Sequence, residues 1–129
     1  MPTFINTIVF VKDLERSKAF YTDVLGQTVM QDFGTIVFFE NHLVLHQAGS
    51  ITETVFKQRS DDALADQGKR NILIYFESDD PEGMLERVSA SGATLIHGIE
   101  RQAWGQRVFR FFDPDGHIIE VGEPMDTEG

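Results

Sequence analysis

Val11-Lys12-Asp13-Leu14-Glu15-Arg16-Ser17-Lys18-Ala19-Phe20-Tyr21-Thr22-Asp23-Val24-Leu25-Gly26 reads as one helix with both ends marked. Asp13 is a good N-cap because its carboxylate accepts from the free N–H groups of a first turn, and Glu15 suits the positive end of the helix dipole. From Leu14 onward, Phe20, Tyr21, Val24 and Leu25 fall on one side at helical spacing, and Gly26 supplies the left-handed residue that stops the helix. Upstream, Phe4 to Val11 has the β-branched and aromatic residues of a strand. Downstream come three short β-rich stretches, near Gln27 to Phe33, Thr35 to Glu40 and His42 to Gln47. Gly34 and the Glu40-Asn41 pair separate them. Residues 1–49 therefore predict a βαβββ unit.

The same order recurs. Asn71 to Phe76 predicts a strand, Asp80-Pro81 a cap followed by proline at the first helical position, and Met84, Leu85 and Val88 the buried face of a helix that Gly92 ends. Strands are expected near Thr94 to Glu100, Gln106 to Phe112 and His117 to Gly122. Asn6 precedes Asn71 by 65 positions and Gly26 precedes Gly92 by 66, a near-constant offset that predicts an internal duplication. The alternative is two ordinary strand–helix pairs aligned by chance. Module two is then 70–123, with a C-terminal tail at 124–129. Residues 50–69, polar and charged, are expected to link the modules, with weak helical character at Thr52 to Lys57 and Asp61 to Ala65.

A chain of 129 residues is one domain, able to bury roughly 70% of its unfolded surface. A formal charge of −10 repels a phosphate backbone, so nucleic acid is not an expected partner. No apolar run approaches the ~18 residues of a membrane span, and with no basic, apolar leader at the N-terminus a cytoplasmic location is expected. The absence of cysteine excludes disulfides, thiolate metal sites and cysteine nucleophiles.

The stretch from Val11 to Gly26 is similar to the first helix of the vicinal oxygen chelate superfamily, the glyoxalase, bleomycin-resistance and extradiol-dioxygenase group. Phe112-Asp113-Pro114-Asp115-Gly116-His117-Ile118-Ile119-Glu120 resembles that family's last hairpin. The resemblance implies an α+β fold of two βαβββ modules, their mixed sheets forming a half-open cup with flanking helices, commonly in a homodimer. It also implies ligands drawn from the first and last strands of each module. Those positions are Asn6 and Asn71, where metal-binding relatives commonly carry histidine, together with His46 and Glu120.

Strand alternation gives these residues a common direction. Phe4, Asn6, Ile8 and Phe10 share one face, leaving Ile5, Thr7, Val9 and Val11 to pack under a helix; Asn71, Leu73 and Tyr75 repeat the arrangement. Asp113-Pro114-Asp115-Gly116 suits a type I turn followed by a left-handed glycine, which pairs Asp113 with His117 and sets Arg110 opposite Glu120. Val108, Arg110 and Phe112 would then share the face of Glu120. A one-residue slip would present Arg107 and Phe109 instead.

A metal here would act as a Lewis acid on a bound oxygen. Asparagine replaces imidazole poorly on zinc, nickel or iron, so the expected cofactor is none or a weakly held divalent ion, with His46 and Glu120 as its ligands if one binds. His46 could alternatively serve as a general base oriented by Glu120, which makes the two the candidate catalytic pair, or be a hydrogen-bonded residue of the pocket wall. Asn6, Asn71, Arg110, Tyr75, Phe112 and Trp104 are the candidate ligand-binding residues. Trp104 and Phe38 could instead serve packing, and Arg70 and Arg110 could hold either an anionic group or acidic neighbours. His42, His97 and His117 stand at strand ends and turns and are expected in solvent. The expected activity is binding of a small organic molecule in the manner of bleomycin-resistance proteins. The rival is a metal-dependent lyase, isomerase or dioxygenase.

Overall fold

A computed structural model describes residues 1–57 and 70–125, which fall into two compact units, Met1–Gln67 and Gly68–Gly129. The helical character expected at Asp61 to Ala65 and most of the expected C-terminal tail lie outside the described residues.

The first unit runs β1 (Thr7–Val11), α1 (Leu14–Ala19), β2 (Val29–Asp32), β3 (Ile36–Phe39), β4 (Leu43–Gln47) and α2 (Ala48–Phe56). Its sheet has the order β1-β4-β3-β2, with β1 parallel to β4 and the other pairs antiparallel. Asp13 caps α1 as expected, its Oδ1 accepting from the N–H of Arg16 at 3.2 Å. The helix widens into a π-turn over Phe20–Val24 before Gly26, at φ 64, turns the chain away. Gln47 at the end of β4 locks the helix start to the sheet, its Oε1 accepting from the N–H of Leu14 at 2.9 Å while its amide donates to the Lys12 carbonyl. Val11, Tyr21, Val37, Phe39 and Leu45 are fully buried in the core of this unit.

The second unit repeats this plan with β5 (Leu73–Glu77), α3 (Pro81–Ala90), β6 (Leu95–Arg101), β7 (Arg107–Phe112) and β8 (Ile118–Gly122), in the order β5-β8-β7-β6. The expected duplication is thus present as the same strand order and pairing in both sheets. Both sheets are mixed and open, with helices alongside. Phe109 and Phe111 stack at 5.7 Å between ring centres and, with Ile119 and Val121, form the buried side of the second sheet. Asp80 accepts from the N–H of Gly83 at 3.0 Å, and Pro81 follows at the first turn.

One expectation is corrected. β1 and β5 start at Thr7 and Leu73, not at Phe4 and Asn71. Each edge strand pairs only as far as its parallel neighbour runs, Thr7 opposite Leu43 and Leu73 opposite Ile118, so Ile5 and Thr7 stay exposed and α1 covers only the Val11 end of β1. α2 occupies Ala48–Phe56 and covers most of the stretch, Thr52 to Lys57, where helical character was expected.

Candidate functional site

The open face of the second sheet carries a polar row that crosses all four strands. Tyr75 on β5 is the register partner of Glu120 on β8, Glu120 of Arg110 on β7, and Arg110 of His97 on β6. Neighbouring strands are about 4.8 Å apart, so the four side chains stand side by side. The turn builds this register as the sequence predicts. Asp113 N–H donates to the His117 carbonyl at 3.0 Å, and Gly116 takes φ 86.

Arg110 is held by three acceptors. Its Nε donates to Glu120 Oε1 at 2.7 Å, Nη1 to His97 Nε2 at 3.0 Å and Nη2 to Gln102 Oε1 at 3.2 Å. A guanidinium can only donate, so His97 Nε2 is a lone pair and its proton sits on Nδ1, which donates to the Gly98 carbonyl at 2.7 Å. Arg107, the residue a register slip would have presented, instead binds Glu82 on α3 and Glu123.

A second set of contacts supports Tyr75. Its hydroxyl donates to Glu77 Oε2 at 2.6 Å and accepts from Gln106 Nε2 at 2.7 Å. Burial first, then the hydrogen bond to Glu77, raises the phenol above its ordinary 10.0, with Gln106 pulling the other way, so it stays a neutral hydroxyl near pH 7. Gln106 is buried; its Nε2 also donates to the Glu123 carbonyl at 2.7 Å, and its Oε1 accepts from Trp104 Nε1 at 2.9 Å. Gly122 makes room for it: a Cβ there would lie 2.4 Å from Gln106 Nε2. Beside the indole is a pocket of about 340 Å³ lined by Trp104, Gln106, Glu123, Pro124 and Met125.

Of the expected site residues, Tyr75, Arg110 and Glu120 meet in the row. Trp104 joins them through Gln106, and Phe112, register partner of Ile118, lies two positions from Arg110 along β7. Asn71 is exposed and precedes β5. In the first unit, Asn6 is half-buried and precedes β1. His46, also half-buried, stands between Phe10 and Ile36 in register, with Nδ1 3.0 Å from the Gln47 carbonyl. The matching row of the first sheet is therefore apolar around one histidine.

Two histidines expected in solvent are not there. His97 is half-buried against Arg110, and His117 is buried with Nδ1 2.9 Å from Asp113 Oδ2. His42 is exposed as expected. Bulges on both sides of His97, between Leu95 and His97 and between His97 and Glu100, turn it onto the row.

These residues do not suit a tightly held transition metal. Glu120 already receives a guanidinium, whose charge opposes an incoming cation, and among the described residues no three His, Asp or Glu side chains are grouped to hold a metal ion.

Comparison with known proteins places the chain in a family. A solved protein of unknown function from Agrobacterium tumefaciens is 47% identical, with a TM-score of 0.87 over 97% of this chain and 96% of the other. A glyoxalase/bleomycin resistance protein/dioxygenase from Nocardioides is 27% identical, with a TM-score of 0.72 over 98% and 86%. Lactoylglutathione lyase from Agrobacterium tumefaciens is 26% identical, with a TM-score of 0.66 over 95% and 94%. An uncharacterized protein of Mycobacterium bovis is 31% identical over 58 residues, 45% of this chain and 38% of that protein, so the match spans well under half the length of that relative. Residues 4–126 match the glyoxalase-like domain, and the chain belongs to that family within the vicinal oxygen chelate superfamily.

Proposed function

We propose that this protein binds a small organic molecule against the polar row of its second sheet and does so without a tightly held metal. The observation that carries the reading is the Arg110–Glu120 contact of 2.7 Å, which engages the one carboxylate of the expected ligand set. Hydrogen bonds hold Arg110, Tyr75 and Trp104 in place before any ligand arrives, which lowers the ordering cost of binding. The protein is proposed to work in the cytoplasm as a homodimer, the latter supported by exposed Ile8, Ile72 and Leu73 on or beside the edge strands β1 and β5.

The rival reading, a metal-dependent lyase, isomerase or dioxygenase, draws support from the likeness to lactoylglutathione lyase. Elemental analysis and calorimetric titration with magnesium, manganese, nickel, zinc and iron(II) separate the two. The binding reading expects no stoichiometric metal and a thermal shift with members of a small-molecule library. Stoichiometric metal lost on Glu120→Ala or His46→Ala would establish the rival.

A further inference from the structure

We propose that the Arg110–Glu120 pair is a donor–acceptor edge for an uncharged amide or lactam, an inference that rests on the small-molecule reading above. A guanidinium has five N–H groups. Three of those on Arg110 go to Glu120, His97 and Gln102, which leaves one on each terminal nitrogen, and the side chain is 23% exposed. Glu120 accepts from Arg110 through Oε1; its other oxygen has no donor among the described residues, although the residue is only 8% exposed. No buried side-chain oxygen among the described residues is left unpaired, so this oxygen reaches solvent, where a ligand N–H can take the place of water.

Open donors and an open acceptor thus stand on neighbouring strands and on one face. The complement is a group with a carbonyl oxygen and an N–H side by side. A free carboxylate fits poorly, since Glu120 already neutralises Arg110 and its open oxygen repels a second anion. A cation fits poorly for the opposite reason, because it would meet the guanidinium. Tyr75, next in the row, is 43% exposed as a residue and has its hydroxyl pinned by Glu77 and Gln106, which offers a flat support for a ring on the ligand.

The test uses the full chain, with benzamide and acetamide as uncharged probes and benzoate as the anion of the same shape. Affinities are followed by calorimetry and by the Nε–H signal of Arg110 in nitrogen–proton correlation spectra. Saturable binding of benzamide that moves this signal is expected, with benzoate at least about tenfold weaker. Arg110→Met/Glu120→Met removes both partners together and is expected to stay folded while losing the amide. Benzoate binding as tightly as benzamide, an unmoved Arg110 signal at saturation, no binding of either amide, or retention in the double variant each overturns the inference. Those results leave the metal titration unchanged, whereas failure of the underlying reading appears as stoichiometric metal lost with Glu120.

Discussion

Arg110 and Glu120 are direct partners across β7 and β8, and their side chains meet Nε to Oε1 at 2.7 Å. Because Glu120 is largely buried, the pair behaves asymmetrically. Removing the arginine alone, as in Arg110→Ala, leaves an uncompensated carboxylate and is expected to cost about 3 kcal/mol. Exchanging both residues for methionine removes the unpaired charge and is expected to cost less than the single change, the remaining loss coming from His97 and Gln102, which also lose their donor. Urea midpoints of the three proteins check this, and equal losses in the single and double variants would count against a desolvated pair.

Gly122 and Gln106 compete for one space. In Gly122→Ala the new methyl sits on Gln106 Nε2 and near Val108, so a loss of about 1–3 kcal/mol is expected, together with release of the Trp104 indole from Gln106. Trp104 is the sole tryptophan, so its emission reports the release directly. Adding Gln106→Ala should restore much of the stability; no recovery would place the clash elsewhere.

His117 ties hairpin stability to pH. Burial alone lowers its pKa, but the hydrogen bond that its Nδ1–H donates to Asp113 and the charges of Asp113 and Asp115 outweigh that and raise it above 6.5. A raised histidine stabilises the folded state fully below its unfolded value and loses that contribution as pH rises through the folded value. The stability gap between the parent and His117→Asn is therefore expected to be widest below pH 6.5 and to shrink as the solution becomes alkaline. Denaturant curves across that range check it; a gap growing with pH would contradict it.

The cap of α3 is expected to contribute about 1 kcal/mol, read as the loss on Asp80→Ala. Gly83→Ala should match it, because a Cβ at 83 lands on the Asp80 carboxylate and displaces the cap.

The fold was legible because its signals are local: Asp13 and Asp80 at helix starts, Gly26 and Gly92 at helix ends, and the Asp113 to Gly116 turn that fixes Arg110 against Glu120. What was not legible depends on partners distant in sequence. Phe4 to Asn6 look like strand, yet β4 is too short to pair with them. His97 reaches Arg110 only through two bulges, which the residue pattern of β6 does not announce. Gln106 lies buried across a glycine 16 positions away, and nothing in its own neighbourhood marks it as the link between Trp104 and Tyr75.

Manganese(II) offers the most direct test of a row closed to metal, since a bound paramagnetic ion broadens every signal within reach. Titrated into labelled protein, it is expected to leave the Arg110 Nε–H and His97 ring resonances sharp at one equivalent. Selective loss of those two signals at stoichiometric manganese, reversed by chelator and absent in Glu120→Ala, would contradict the account.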